Sequence, residues 1–192
     1  MNEKLTEIMR LITNLIRTGT VSEVDKANWL CRVKTGDLET NWISWLTFRA
    51  GKTRTWWKPS IGEQVVLLSL GGNLETAFAL PSIYSDSFPP PSDSDDGSVT
   101  EFADGGWFQY EPETGQLLIK NIRSVRIEAA DGIQLITDLF GVQASQTSIN
   151  GDTVMNGDVT QGGGSMSSNG VVADKHLHDK VKTGGDMSGG PQ

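Results

Sequence analysis

The chain has one cysteine, two histidines and no long apolar run, and each shortage removes a class of protein. A single thiol, Cys31, permits no intrachain disulfide. It lies in "WLCRVKT", where alternation puts Trp29, Cys31 and Val33 on one strand face and predicts a buried, inert side chain. A catalytic thiol needs an imidazole partner, and both histidines are far away in sequence. No stretch approaches the roughly 18 apolar residues of a membrane span. The N-terminus also lacks the apolar core and small-residue cleavage site of a secretory signal, so synthesis and folding in a cytoplasm are expected. Positive charge is short as well: 16 Lys and Arg face 24 Asp and Glu, a net charge of −8. Binding to a phosphate backbone rests on Lys and Arg displacing counterions, so no nucleic-acid partner is expected. Aromatic residues nearly vanish after Tyr110, with only Phe140 beyond it.

What is present falls into successive regions. In "NEKLTEIMRLITNLIRTG", Leu5, Ile8, Ile12 and Leu15 step by three, four and three, the spacing of a helical seam. Met9, Leu11 and Ile16 widen the stripe, and Gly19 reads as the helix stop. A helix this short is marginal alone in water and must dock on its own domain or on copies of itself. Residues 1–19 are assigned to this helix. Residues 20–84 read as short strands with turn signals, including "EQVVLLSL" ended by Gly71 and Gly72, and suit a small closed barrel of the oligonucleotide/oligosaccharide-binding type.

One stretch inside it, "FRAGKTRTWWKPS", sets Arg49, Lys52, Arg54 and Lys58 around Trp56 and Trp57. Charge among aromatics is what a single-strand nucleic-acid binder uses. The plainer reading is a polar hairpin tip leading into a core strand. Residues 85–99, "SDSFPPPSDSDDGS" and its successor, form a proline- and aspartate-rich linker. The acidic cluster Asp93, Asp95, Asp96 lacks the glycine and distal glutamate of a calcium loop.

From residue 100 to 170 the pattern is unusual. "GGWFQYEPETGQLLIKN" is a hairpin with its turn at "ETG", and short alternating pieces follow. Val125, Ile127 and Ala129, then Ile133 and Leu135, recur at alternate places, and Asp131-Gly132, Asn150-Gly151 and Asn156-Gly157 punctuate them. Each piece carries one thin apolar face, too little for a monomeric domain of this size to close a core. Stacked rungs in one chain solve that problem, but no fixed period is present. Several identical chains wound around one axis solve it equally, and small residues suit a narrow axial core.

The last stretch, residues 171–192, holds both histidines, His176 and His178. In a strand they share one face. A solvated surface strand is one reading. With three chains around an axis the pairs supply six imidazole nitrogens, an octahedral set that suits Fe(II), Ni(II) or Co(II) rather than tetrahedral zinc. Cellular availability favours iron, one per trimer. All positions are then filled by protein, so such a metal is structural and not catalytic. Asp174 and Asp179 are candidate acceptors for the ring N–H groups.

These residues together resemble the baseplate assembly protein V family, the central spike of contractile-tailed phages, to which the spikes of R-type pyocins are similar. The resemblance is carried by "RTGTV" after the helix, by "WLTFRAGKTRTWWKPSIGEQVVLLSLGGNLETAFALPSIYS", by "YEPETGQLLI", and by "GGSMSSNGVVADKHLH". It implies a mainly β homotrimer: a barrel, then an intertwined triple-stranded β-helix ending in a pointed tip. It implies one iron held by His176 and His178 of three chains, and leaves any ions within the shaft without assigned residues. It implies a non-catalytic role on the virion tail baseplate. Hub, tube and baseplate proteins are then partners at the N-terminal end, and the host outer membrane is the target pierced during contraction. The alternative is a barrel module that binds single-stranded nucleic acid or protein.

Overall fold

The computed structural model describes residues 3–173 and residue 184, and divides the chain into two units, Met1–Ala129 and Ala130–Gln192. The first unit opens with helix α1, Glu3–Leu15, whose acidic first residue suits the positive end of the helix dipole. The helix ends four residues before Gly19, the expected stop. The chain passes directly into strand β1, Ile16–Asp25, because Ile16 already pairs with Leu68 of the barrel. Tertiary pairing outweighs local propensity here.

Four more strands complete the barrel: β2 (Leu30–Thr35), β4 (Ile43–Trp45), β5 (Gln64–Ser69) and β6 (Ala77–Ile83). A two-residue strand β3, Leu38–Glu39, pairs antiparallel with the end of β2. The barrel order is β1-β5-β6-β4-β2, and β2 returns to β1. Only β4 and β6 run parallel. Strand β1 closes the circuit by changing partner: residues 16–20 pair with β5 and residues 20–25 with β2, with a register shift between Val21 and Glu23. A bulge of this kind bends a strand sharply, and closure removes the free edges of a sheet.

Alternation fills the barrel. The buried apolar set is Val21, Cys31, Val33, Ile43, Val65, Leu67, Ala77 and Ala79, all on barrel strands. Burial pushes the Cys31 thiol up to about 11, with the charge of Glu63 adding to the shift. That fits the inert thiol expected from sequence. Trp29 does not share its face. It sits in the β1–β2 turn at φ 59° and is 67% exposed. The turn is held instead by Asp25, whose carboxylate accepts from the Ala27 and Asn28 amides and from the Asn28 side chain, which holds it below its usual range.

Gly19 has a packing role that its position hides. A Cβ there stands 2.5 Å from the Lys34 carbonyl oxygen and 2.6 Å from a Val33 methyl. Gly19→Ala is therefore expected to push β1 off β2 where the barrel closes. The cost expected is about 1–3 kcal/mol, the range for overpacking. Thermal unfolding of the barrel checks this; an unshifted midpoint means that β2 gives way freely.

Beyond the barrel, β7 (Ser98–Glu101), β8 (Trp107–Glu111) and β9 (Gln116–Lys120) form a three-stranded antiparallel sheet. The β8–β9 hairpin turns through Gly115 at φ +64°, as the "ETG" signal predicts. The proline-rich connection opens with a turn closed between Ser85 and Phe88 and is tied to β8 by Ser94, whose hydroxyl donates to Glu111 at 2.8 Å. In the second unit the described strands are β10 (Ser167–Ser168) and β11 (Val171–Val172), an antiparallel pair turned at Asn169-Gly170. No helix among the described residues is long and apolar enough to cross a membrane.

Candidate functional site

Between Lys120 and Ser167 no described residue belongs to a helix or strand. This stretch still alternates as the sequence does. Val125 and Ile127 are 70% and 68% exposed, while Arg126 and Glu128, on the intervening positions, pair with each other. Ile133 and Leu135 repeat the pattern at 58% and 68% exposed. Farther along, Leu139, Phe140, Val142, Ile149, Val154 and Val159 are exposed too. Gly151 and Gly157 take φ of +133° and +119°, so two of the three turn dipeptides do punctuate the chain with glycine conformations; Gly132 has no positive φ.

The magnitude matters. Each Val, Leu or Ile left in water forgoes about 1.5–3 kcal/mol of burial. A natural domain has only about 5–15 kcal/mol of net stability. A chain with this many bare apolar side chains along an extended backbone has not finished burying itself. Its unpaired N–H and C=O groups are likewise open to another strand. Residues 121–166 thus combine exposed apolar side chains at alternate positions with a backbone that belongs to no helix or strand.

In the basic aromatic stretch Ala50 and Arg54 bridge across a hairpin tip, and the core strand β5 follows from Gln64, as the plainer reading has it. Trp56 and Trp57 come between the two. They lie in an irregular run ahead of Pro59, 61% and 59% exposed. Each ring is engaged by the chain itself. Trp56 packs edge-on to Trp45 at 5.9 Å, and Trp57 stacks on Phe102 at 6.3 Å. Rings used this way knit the hairpin to the body of the unit rather than forming a free row of base-stacking platforms. A cleft of about 520 Å³ lies beside them, with Phe48, Trp57, Leu80 and Tyr84 as its apolar wall and Lys58 and Glu63 as its charges.

His176 and His178, with Asp174 and Asp179, lie outside the described residues. Among the described residues no group of three or more His, Cys, Asp or Glu could hold a metal ion. In sequence the two histidines follow the β10–β11 pair by a few residues.

Sequence reasoning missed Gly72, which fixes how α1 sits. Its φ is +75°, and a Cβ there falls 2.1 Å from the Leu11 carbonyl oxygen. The Gly71-Gly72 pair signalled the end of β5; nothing in it signalled a helix overhead.

Two comparisons with known proteins bear on these features. Residues 17–84, the barrel, match the family model of the Type VI secretion system/phage-baseplate injector OB domain. The chain is also similar to the spike protein of Escherichia phage P2. The two are 40% identical over 192 aligned positions, covering 90% of this chain and 90% of that protein.

Proposed function

The chain belongs to the phage baseplate spike family, and from that premise we propose that three copies wind residues 122–166 around one axis into a needle. Its role is that of a structural baseplate spike, on the tail baseplate of a virion, in association with baseplate components. The observation that carries the three-chain reading is the unpaired, alternating stretch between Lys120 and Ser167. A triple-stranded β-helix buries its apolar face on the axis, pairs its edges chain to chain, and leaves Arg126 and Glu128 facing water.

The work is mechanical and non-catalytic. A narrow end concentrates the force of tail contraction on a small area of the host outer membrane. Interwound strands resist unravelling because no edge is free. The barrels face the tail hub and tube. The net charge of −8 per chain, tripled in the assembly, limits adhesion to an anionic surface.

At the point, glycine and serine leave little to bury, as in "QGGGSMSSNG". His176 and His178 of three chains would hold one iron there. Six imidazoles fill its coordination and leave no position for a substrate. Bound metal supplies folding free energy where burial cannot.

Purified protein is expected to have a mass in solution three times 20.8 kDa, with one iron per three chains. His176→Ala is expected to remove the metal while keeping the three-chain mass. Light scattering with elemental analysis tests both parts. A single-chain mass overturns the needle, and a metal-free trimer overturns the tip.

A further inference from the structure

Helix α1 is docked with its apolar stripe facing away from its own domain. The only buried residue on it is Asn14, whose side-chain oxygen accepts from Arg17 at 3.0 Å. Arg17 in turn donates to the Thr35 hydroxyl at 2.9 Å, which ties the helix end to β2. On the barrel side the Leu11 backbone rests against Gly72. The seam residues Leu5, Ile8, Ile12 and Leu15 are 50%, 51%, 55% and 42% exposed. An ordinary surface helix does the reverse and buries its apolar face.

We propose that this seam is covered by the α1 helices of two further copies, forming a short three-helix bundle at the N-terminal end. The inference rests on the three-chain reading of the shaft. Three observations favour copies over an unrelated partner. The three-four-three spacing is that of self-associating helices; its first heptad, Leu5 at a and Ile8 at d, is the arrangement that favours more than two strands, while Ile12 and Leu15 in the second are the two-strand arrangement, so the number of copies is taken from the shaft. The seam carries no charge, because Glu7 and Arg10 pair with each other off it at 2.7 Å. The helix charges Glu3, Lys4, Glu7 and Arg10 cancel, so parallel copies meet no net repulsion.

The test is oxidation of an Ile12→Cys chain, with Arg10→Cys as the control on the opposite side. A disulfide needs Cα atoms about 4.4–6.8 Å apart, which core positions of a bundle reach and outer positions do not. Cys31 is fully buried, so the unaltered chain is the blank. The expected result is a reductant-sensitive two-chain species from Ile12→Cys at least several-fold above that from Arg10→Cys. Light scattering on the same samples separates the two readings. A three-chain mass without the Ile12→Cys cross-link overturns the bundle and leaves the needle standing; a different protein then covers the stripe. A single-chain mass overturns both.

Discussion

Ile127→Asp is expected to abolish the three-chain mass while leaving the barrel folded. In one chain Ile127 is 68% exposed, so a carboxylate there meets water and costs almost nothing. In a needle, three Ile127 side chains converge on the axis. Three carboxylates placed there are like charges taken out of water together, and the effective desolvation penalty for each buried ion is several kcal/mol. Part of that penalty is avoided by protonation, so assembly of the variant is expected to recover towards acid pH. The direction follows from burial and like charge both raising a carboxyl pKa. Glu128→Gln is the matched control, one residue along on the polar face, where Glu128 pairs with Arg126. It should leave the mass unchanged. If Ile127→Asp keeps the mass and stability of the unaltered protein at neutral pH, Ile127 does not face a shared core.

How much of this was legible depended on whether the partner of each residue lay in the same chain. The barrel was readable because its strands pack on one another: Val21 and Val33 alternate with polar neighbours, Val65 and Leu67 belong to a near-continuous apolar run, and all four end inside. The β8–β9 hairpin was readable because its turn needs a glycine at Gly115. Gly19 was misread for a physical reason. Glycine ends helices by taking left-handed backbone, but it also permits close approach, and sequence alone does not say which is required. The Lys34 carbonyl lies 15 residues away along the chain and sets the requirement. Trp56 and Trp57 could be read as flanking the hairpin tip, but not their ring partners, because Trp45 and Phe102 lie far from them in sequence.

Two further features were half legible. The helical stripe of Leu5, Ile8, Ile12 and Leu15 could be read, but not its direction, which depends on Gly72 lying against Leu11. The alternation of residues 125–135 could be read, but not its pairing, because no strand of the same described chain accepts it. For both patterns the partner that we propose lies in other copies of the chain.

Leu67→Ala and Leu139→Ala make the same chemical change in opposite settings, and comparing them isolates what assembly contributes. Leu67, on β5, is fully buried and is one of the eight buried apolar residues of the barrel. Truncation there loses transfer free energy and leaves a cavity, a loss of about 2–5 kcal/mol. For a domain of this size each kcal/mol moves the midpoint about 4–8 °C, so the barrel's melting temperature should fall by roughly 10 °C or more. Leu139 is 83% exposed in one chain. If one chain were the working state, its truncation should stay within about 0.5 kcal/mol of neutral. In a needle the same residue sits in the stretch that three chains share, and every chain loses it at once. The expected result is therefore that both substitutions destabilise, Leu67→Ala through the barrel and Leu139→Ala through the temperature at which the three-chain mass is lost. Differential scanning calorimetry with light scattering at each plateau reads the two separately. A neutral Leu139→Ala, beside a strongly destabilising Leu67→Ala, would take that side chain out of the shared core and leave its exposure without a structural use.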